Sequence, residues 1–140
     1  MNRLSKNKRV FLGGTTNDSK WRDELIPLLN ISYFNPVVKT WDEKAKQNEF
    51  NERKNDDFLL YTITPKMLGY YSIAELICDV IKKPNKTIFC LLKKDENKTF
   101  NDKQLNSFEM IAKMVKDNGG KVFYNLQEVA NYLNKNKWKD

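Results

Sequence analysis

The stretch "GYYSIAELICDV", residues 69 to 80, is apolar almost throughout, yet it carries one carboxylate, Glu75, in its first turns. The spacing predicts a helix with apolar residues on most of its surface, and Glu75 lies near its start, one turn before Asp79. In one interpretation, these two acids form the solvent-facing stripe of an otherwise buried helix. In the other, Glu75 points into a cleft and takes part in chemistry. Spacing alone does not separate the two interpretations.

The residues just before Glu75 give the cleft interpretation a physical basis. A helix N-terminus and the hydroxyls of Tyr70, Tyr71 or Ser72 can hold a carboxylate in its ionised form. Glu75 and Tyr71 are therefore candidate catalytic residues, and Ser72 is a candidate substrate contact.

Composition limits the chemistry that is open to this chain. Histidine is absent, which excludes Ser-His-Asp and Cys-His catalysis and every zinc site that requires imidazole. Acid and base chemistry must come from carboxylates, tyrosine, lysine or cysteine. Cys78 and Cys90 fall in apolar segments, where buried free thiols are more common than a disulfide or a metal pair. We expect neither a metal nor a cofactor.

The formal net charge is +7, and much of the excess lies in the terminal runs "NRLSKNKR" and "NKNKWKD". Such runs are usually solvated, and no helix-turn-helix or zinc-finger pattern accompanies them, so we do not expect nucleic acid as the partner. The positive field can still attract a phosphorylated ligand. No apolar run reaches the ~20 residues of a membrane span, and the N-terminus lacks a signal-peptide pattern, so a cytoplasmic protein is expected.

Apolar runs of strand length alternate with helix-length segments along the chain. The predicted strands cover residues 9 to 14, 32 to 38, 57 to 64, 86 to 92 and 121 to 125, and the second is short and stops at Pro36. The predicted helices cover residues 18 to 29, 41 to 56, 70 to 83, 101 to 120 and 126 to 136, and the second is polar and therefore exposed. This alternation predicts an α/β fold, a flavodoxin-like or Rossmann-like three-layer sandwich with a five-stranded parallel sheet. We expect one domain over residues 1 to 140, with flexible tails at 1 to 8 and 135 to 140.

In sheets of this kind, ligands bind outside the carboxyl ends of the strands. The segments expected there are "GGTTND", "NPVVKTWDE", "TPKMLGYYS" and the polar loop that contains "KKDENK". Glu75 follows the third of these segments, at the start of its helix.

Several motifs in order resemble the nucleoside 2-deoxyribosyltransferase-like family, a group of small flavodoxin-like proteins. They are "VFLGGTTNDSKWRDELIPLL", "YFNPVV" and "LLYTITPKMLGYYSIAEL", and the resemblance covers roughly residues 9 to 92. It implies that Glu75 attacks the anomeric carbon of a 2-deoxyribosyl group, expels the nucleobase and forms a glycosyl-enzyme ester. Water would then complete a hydrolysis, and a second nucleobase would complete a transfer. The implied partner is a small nucleoside or nucleotide, and a homo-oligomer is expected by resemblance.

The resemblance also suggests that the turn after the first strand contacts the ligand. Gly13 and Gly14 let backbone amides approach a sugar or phosphate, and Thr15 adds a hydroxyl. The alternative is a tight turn between strand and helix with no ligand contact.

A second predicted contact region follows the second strand. Asn35 and Pro36 begin the loop that leads to Trp41 and Asp42. The Trp41 indole is suited to stacking on a nucleobase, and the Asp42 carboxyl group is suited to protonating or hydrogen-bonding it. In the alternative, Trp41 packs at a helix start and Asp42 caps that helix.

The chain departs from the family pattern at two places. The family transferases have a first-strand tyrosine that hydrogen-bonds the nucleophile, whereas this chain has Phe11, and Tyr70 or Tyr71 is a hypothetical substitute. The family aspartate that grips the base is also missing, since Lys66 is the only charge in its loop. Lys66 can bind a 5'-phosphate or be an exposed loop lysine. A non-catalytic nucleotide-binding module and an N-glycosidase acting on NAD therefore stay as alternatives.

Overall fold

The computed structural model describes residues 7–139 and forms an α/β sandwich. The strands of its main sheet are β1 (Arg9–Gly14), β2 (Ser32–Phe34), β3 (Phe58–Ile63), β4 (Thr87–Leu91) and β7 (Lys121–Phe123). The helices are α1 (Trp21–Leu25), α2 (Glu43–Asn55), α3 (Tyr71–Lys82), α4 (Asp102–Asp117) and α5 (Leu126–Lys135). All neighbouring strands are parallel, in the order β2-β1-β3-β4-β7. This is the flavodoxin-like strand order, so the predicted fold class is confirmed.

Each face of the sheet is buried under a different pair of helices. Strands β3 and β4 are buried along their whole length, as expected of strands covered on both sides. On one face, α1 and α5 contribute Trp21, Leu25, Val129, Ala130 and Leu133 to the core. On the other, α3 and α4 contribute Leu76, Val80, Phe108, Ala112 and Val115. Helix α2 has no fully buried residue and most of its side chains are exposed, as predicted, although one of its faces is partly covered.

Prolines shorten two of the predicted elements. Strand β2 ends at Phe34, two residues before Pro36, at which the sequence predicts that the strand stops because proline has no N–H to donate to a strand ladder. The first helix ends at Leu25 and continues as a single 3-10 turn, Ile26–Leu28, which contains Pro27.

The predicted polar loop after β4 contains a short antiparallel hairpin, β5 (Lys94–Asp95) and β6 (Lys98–Thr99). Its Asp95 accepts hydrogen bonds of 2.6 Å from both the Ser19 and the Thr64 hydroxyls. The hairpin therefore ties together the loops that follow β1, β3 and β4.

The chain ends that the sequence predicts to be tails meet each other in the described residues. Asn7 forms an antiparallel bridge with Trp138, and the Lys8 amide donates a 2.6 Å hydrogen bond to the Lys137 carbonyl. Paired backbone at this point differs from the expectation of free tails, and the rest of both predicted tails, residues 1–6 and 140, lies outside the described residues. Between residues 7 and 139, no helix is long and apolar enough to cross a membrane.

Candidate active site

A cavity of about 550 Å³ opens at the carboxyl ends of β1 and β3, the edge of the sheet at which the topology predicts a ligand. Its walls come from the turn after β1, the loop after β2, helix α2 and the start of α3. The predicted site residues that line it are Gly13, Gly14, Thr15, Pro36, Trp41, Tyr71, Ser72 and Glu75. Asn35, Asp42 and Lys66 are not among the lining residues.

The turn after β1 requires glycine for steric reasons. Gly14 has a φ of +118°, and a Cβ there would lie 2.0 Å from the Thr62 carbonyl oxygen. A Cβ on Gly13 would lie 2.8 Å from atoms of the Phe11 and Tyr61 rings. The two glycines thus let β1 run close to β3 while their backbone borders the cavity.

Thr15 completes this turn, but its hydroxyl is already engaged. Its Oγ1 accepts a 3.0 Å hydrogen bond from the Thr64 amide, and its own amide donates to the Thr62 carbonyl at 2.9 Å. Thr15 therefore ties the turn after β1 to the end of β3. It lines the cavity with a hydroxyl that is already hydrogen-bonded within the protein.

Arg22 is a buried cation in the cavity wall that sequence reasoning missed. Its guanidinium donates to the carbonyls of Leu12 at 3.0 Å and Thr15 at 2.7 Å, and it packs over the Trp21 ring. Burial lowers the pKa of Arg22 to about 10, so the group stays charged at neutral pH. Arg22 holds the carbonyls of the turn and places positive charge beside the cavity.

Glu75 is the carboxylate at the start of α3 and one of the groups that line the cavity. It is only 9% exposed, and its Oε2 lies 3.3 Å from Nη1 of Arg53. Burial raises the pKa of Glu75 to about 7, while the Arg53 charge acts in the opposite direction. Asp79, one turn further on, is 3% exposed. The interpretation of these two acids as a solvent-facing stripe is therefore wrong, because both face the inside of the protein.

Asp79 anchors the cation that contacts Glu75. It accepts hydrogen bonds from Arg53 Nε at 2.9 Å and Nη2 at 3.1 Å, the two-pronged geometry in which arginine binds carboxylates best. It also accepts a 2.5 Å hydrogen bond from the Tyr61 hydroxyl. Burial and the Asp79 charge raise the pKa of Tyr61 well above its usual value, so Tyr61 remains a donor. Asp79 and Tyr61 thus fix Arg53, and Arg53 contacts Glu75.

The tyrosines near Glu75 differ in what they can do. Tyr70 and Tyr71 are 74% and 75% exposed, and Tyr71 borders the cavity at its mouth. Phe11, the position for which the resemblance implies a tyrosine, packs with its ring centroid 6.0 Å from that of the buried Tyr61. A buried tyrosine is therefore present on β3 instead of β1, but its hydroxyl donates to Asp79.

The loop after β2 borders the cavity with an apolar surface. Trp41 is 52% exposed and lines the cavity together with Pro36. The Asn35 side chain accepts a 3.0 Å hydrogen bond from the Val37 amide, which shapes the loop. Asp42 is the N-cap of α2 and accepts a 2.8 Å hydrogen bond from the Ala45 amide. The structure thus gives Asp42 the capping role that the sequence left as an alternative.

Lys66 does not line the cavity, and its charge is already paired. Its ammonium forms an ion pair with Glu96 and donates a 3.1 Å hydrogen bond to the Asp18 carbonyl. These contacts bridge the loops after β1 and β3 to the β5-β6 hairpin, so the side chain is neither a free cation nor a lysine in open solvent.

Sequence reasoning also missed Glu49 and Arg53, which α2 presents to the site. The missed signal was their spacing of four residues, which places both on one face of the helix. Both looked like ordinary members of a solvent-exposed charged helix, because charge alone does not say which face turns inward.

The chain belongs to the family described as nucleoside 2-deoxyribosyltransferase like. The sequence profile of that family matches residues 7–94, which contain β1 to β4, Glu75 and the whole cavity wall. Membership indicates a function related to glycosyl transfer. Neither a curated protein nor a solved structure matches this chain.

Proposed function

We propose that the protein cleaves the N-glycosidic bond of nucleosides or nucleoside 5'-monophosphates, or transfers their (deoxy)ribosyl group, with Glu75 as the nucleophile. The observation that carries this proposal is the position of Glu75, a largely buried carboxyl that lines a ligand-sized cavity at the carboxyl ends of β1 and β3. Family membership supports the reaction class.

The chemistry needs only groups that the chain possesses. An ionised Glu75 oxygen forms a bond to the anomeric carbon while the bond from that carbon to the base nitrogen breaks. The transition state has oxocarbenium character, and a carboxylate beside it stabilises the positive charge and then captures the sugar as an ester. Water or a second base attacks the same carbon and releases Glu75.

The residues that line the cavity suit both a sugar and a base. The backbone of Gly13 and Gly14 and the hydroxyl of Ser72, which lies one turn before Glu75 on α3, suit a hydroxylated sugar. Trp41 and Pro36 give an apolar surface on which a planar base can stack. These groups support a pose with the anomeric carbon at Glu75 and the base against the loop after β2.

Arg53 and Asp79 act as positioning residues in this proposal. Because Asp79 holds Arg53 with two hydrogen bonds, the Arg53 charge sits at a fixed place 3.3 Å from Glu75. That charge favours the ionised, nucleophilic form of Glu75 against the effect of burial. A homo-oligomer remains a proposal, and the exposed apolar side chains at the cavity mouth, Leu68 and Tyr71, are consistent with a partner there.

The test is chromatographic detection of free base. Purified protein is incubated with ribo- and deoxyribonucleosides, their 5'-monophosphates and NAD, with and without an added free base. Glu75→Gln keeps the shape of the side chain but cannot attack, and Glu43→Gln is the matched control, since Glu43 is a 91% exposed carboxylate on α2. We expect base release or exchange by wild type and Glu43→Gln and none by Glu75→Gln.

Two results would contradict the proposal. Base release that survives in Glu75→Gln would remove Glu75 as the nucleophile. If no substrate is cleaved while calorimetry still detects nucleotide binding, the protein is a binding module and not an enzyme.

A further inference from the structure

A second, smaller cavity lies between α2 and α3 and has no part in the proposed reaction. Its volume is about 220 Å³, and its walls come from the C-terminal halves of these two helices and from the residue that caps α3. The two cavities share no lining residue. A ligand in the second cavity therefore does not occupy the candidate active site.

The walls of the second cavity are strongly basic. Among the described residues that line it, four are cations and one is an acid, which leaves a formal excess of three positive charges. They are Arg53, Lys54, Lys82, Lys83 and the acid Asp79. The acid is already occupied, because Asp79 accepts hydrogen bonds from Arg53 and from the Tyr61 hydroxyl. The excess charge therefore suits an anionic ligand.

The type of cation favours a phosphate group over a planar carboxylate. Arginine binds carboxylates through a fork of two N–H groups, but Arg53 already uses its Nε and Nη2 on Asp79. The three lysines offer compact ammonium charges on flexible stems, which suit the several oxygens of a phosphate. The cavity is also smaller than the ~300–1,000 Å³ of pockets for larger ligands. A compact phosphate anion fits these features.

A single ion pair connects the two cavities. Arg53 lines the second cavity and Glu75 lines the first, and Nη1 of Arg53 lies 3.3 Å from Oε2 of Glu75. The Arg53 charge favours the ionised form of Glu75, whereas the charges of Glu49 and Asp79 oppose it. Tyr61, which faces the same pair from β3, stays a neutral donor because burial raises its pKa. A phosphate beside Arg53 would offset part of the only cation charge that acts on Glu75.

We propose that the second cavity binds a compact phosphate anion and that this anion weakens the hold of Arg53 on Glu75. Linkage requires the reverse effect as well, so an ionised Glu75 weakens binding of the anion by the same factor. Anion binding does not depend on the reaction. The consequence for the rate rests on the proposed function: a bound anion shifts Glu75 toward its protonated form, which cannot attack the sugar.

The lysines at this position also have a role that needs no ligand. Both α2 and α3 end at the second cavity, and basic side chains in a last turn complement the partial negative charge of a helix C-terminus. Lys83 does this directly, since its Nζ donates a 3.1 Å hydrogen bond to the Arg53 carbonyl. A purely structural role of this kind predicts no specific binding of phosphate.

Calorimetry with inorganic pyrophosphate at constant ionic strength tests the site. Lys54→Gln and Lys82→Gln each remove one exposed cation from the cavity wall. Lys103→Gln removes the same charge from an exposed position on α4 that is not among the residues lining either cavity. We expect a ~10-fold or larger rise in Kd for each cavity variant, the loss of one charged hydrogen bond, and no change for Lys103→Gln. Circular dichroism verifies that each variant is folded.

The coupling to the first cavity is tested in the same experiment and needs no catalysis. At pH 8, above the pKa of about 7 of Glu75, Glu75→Gln should bind pyrophosphate ~5-fold more tightly or better, because the neutral side chain no longer competes for the Arg53 charge. Glu43→Gln removes a 91% exposed carboxylate from the start of α2 and is the matched control. Its Kd should equal that of wild type.

The outcomes separate this proposal from the proposed function. Equal Kd values for Lys54→Gln, Lys82→Gln and Lys103→Gln would overturn the site, as would binding to phosphatidic acid vesicles without binding to free pyrophosphate. Equal Kd values for Glu75→Gln and wild type would overturn the coupling. If wild type releases base, saturating pyrophosphate should lower kcat/KM by ~5-fold or more near pH 7. If wild type releases no base, the proposed function is wrong, and calorimetry still decides on the second cavity.

Discussion

The Arg53 guanidinium lies 3.3 Å from the carboxylate of Glu75 and is held there by its two hydrogen bonds to Asp79. The charged core of the candidate site is therefore built between two helices, with the cation on α2 and both acids on α3. Tyr61 extends the network to β3 by donating to Asp79. Side-chain contacts therefore connect α2, α3 and β3 at this point.

Removal of Arg53 should destabilise the protein as well as the site. Arg53→Met removes the cation and two hydrogen bonds from the buried Asp79 and leaves it the Tyr61 hydroxyl as a side-chain donor, so we expect the free energy of unfolding to fall by about 2 kcal/mol. Urea unfolding measures it, with Lys54→Met as the control, since Lys54 is the exposed neighbour on the same helix. Equal free energies of unfolding for Arg53→Met and Lys54→Met would contradict a stabilising role of the Arg53–Asp79 contact.

The ionisation of Glu75 should appear in the rate on a substrate that needs no acid. Because burial raises the pKa of Glu75 to about 7, kcat/KM on a nitrophenyl glycoside should rise with pH through about 7 as the carboxylate forms. Arg53→Met should move this rise to higher pH, because the cation that favours the anion is gone. A rate that does not change across pH 7 would contradict this ionisation.

Gly14 should tolerate no side chain. Gly14→Ala forces a residue with a Cβ into a φ of +118° and places that Cβ against the Thr62 carbonyl, so we expect a loss of about 3 kcal/mol or more in the free energy of unfolding. Gly69→Ala is the control, because its Cβ would meet no atom within 4 Å. Thermal unfolding of both variants measures the difference, and similar melting temperatures would contradict the close approach of β1 and β3.

Asp56 should make stability depend on pH at the opposite end of the sheet. It is 3% exposed, and burial raises its pKa from 3.8 to about 7. A carboxyl group whose pKa is raised in the folded state binds its proton more tightly there than in the unfolded chain. The contribution of Asp56 to the free energy of unfolding is therefore fully present below pH 3.8 and is lost as the pH rises through about 7.

Asp56→Asn removes this titration. The variant should gain about 1 kcal/mol relative to wild type at pH 8, and the gain should vanish at low pH. Arg9, which lies 3.6 Å from Asp56, offsets part of the cost in wild type and limits the size of the gain. Urea unfolding at both pH values gives the difference, and a gain that is independent of pH would rule out the titration of Asp56.

The sequence predicted the sheet because its strands are nearly continuous apolar runs with helices between them. It also predicted Glu75 and the glycine turn as parts of one site, since the ends of parallel strands meet at one edge of the sheet. The short hairpin β5-β6 was missed because its four residues are polar, and it is held by the bonds that Asp95 makes to distant hydroxyls.

The charged half of the site could not be predicted for a different reason. Amphipathic patterns assume that charged side chains face water, whereas Asp79 and Arg53 face each other between two helices. Their pairing depends on how α2 is rotated against α3, which is a property of tertiary packing. Asp42 and Lys66 show the same limit, since both are engaged by neighbours that sequence spacing does not reveal.

The central claim is that Glu75 forms a covalent bond to the sugar, and mass spectrometry of the trapped protein tests it most directly. A 2-fluoro nucleoside slows breakdown of the ester, so the intermediate accumulates and the protein can be digested and sequenced by fragmentation. The account predicts a mass increase of one sugar on the peptide that contains Glu75, absent in Glu75→Gln. Stoichiometric base release without any labelled peptide, or a label on another residue, would contradict it.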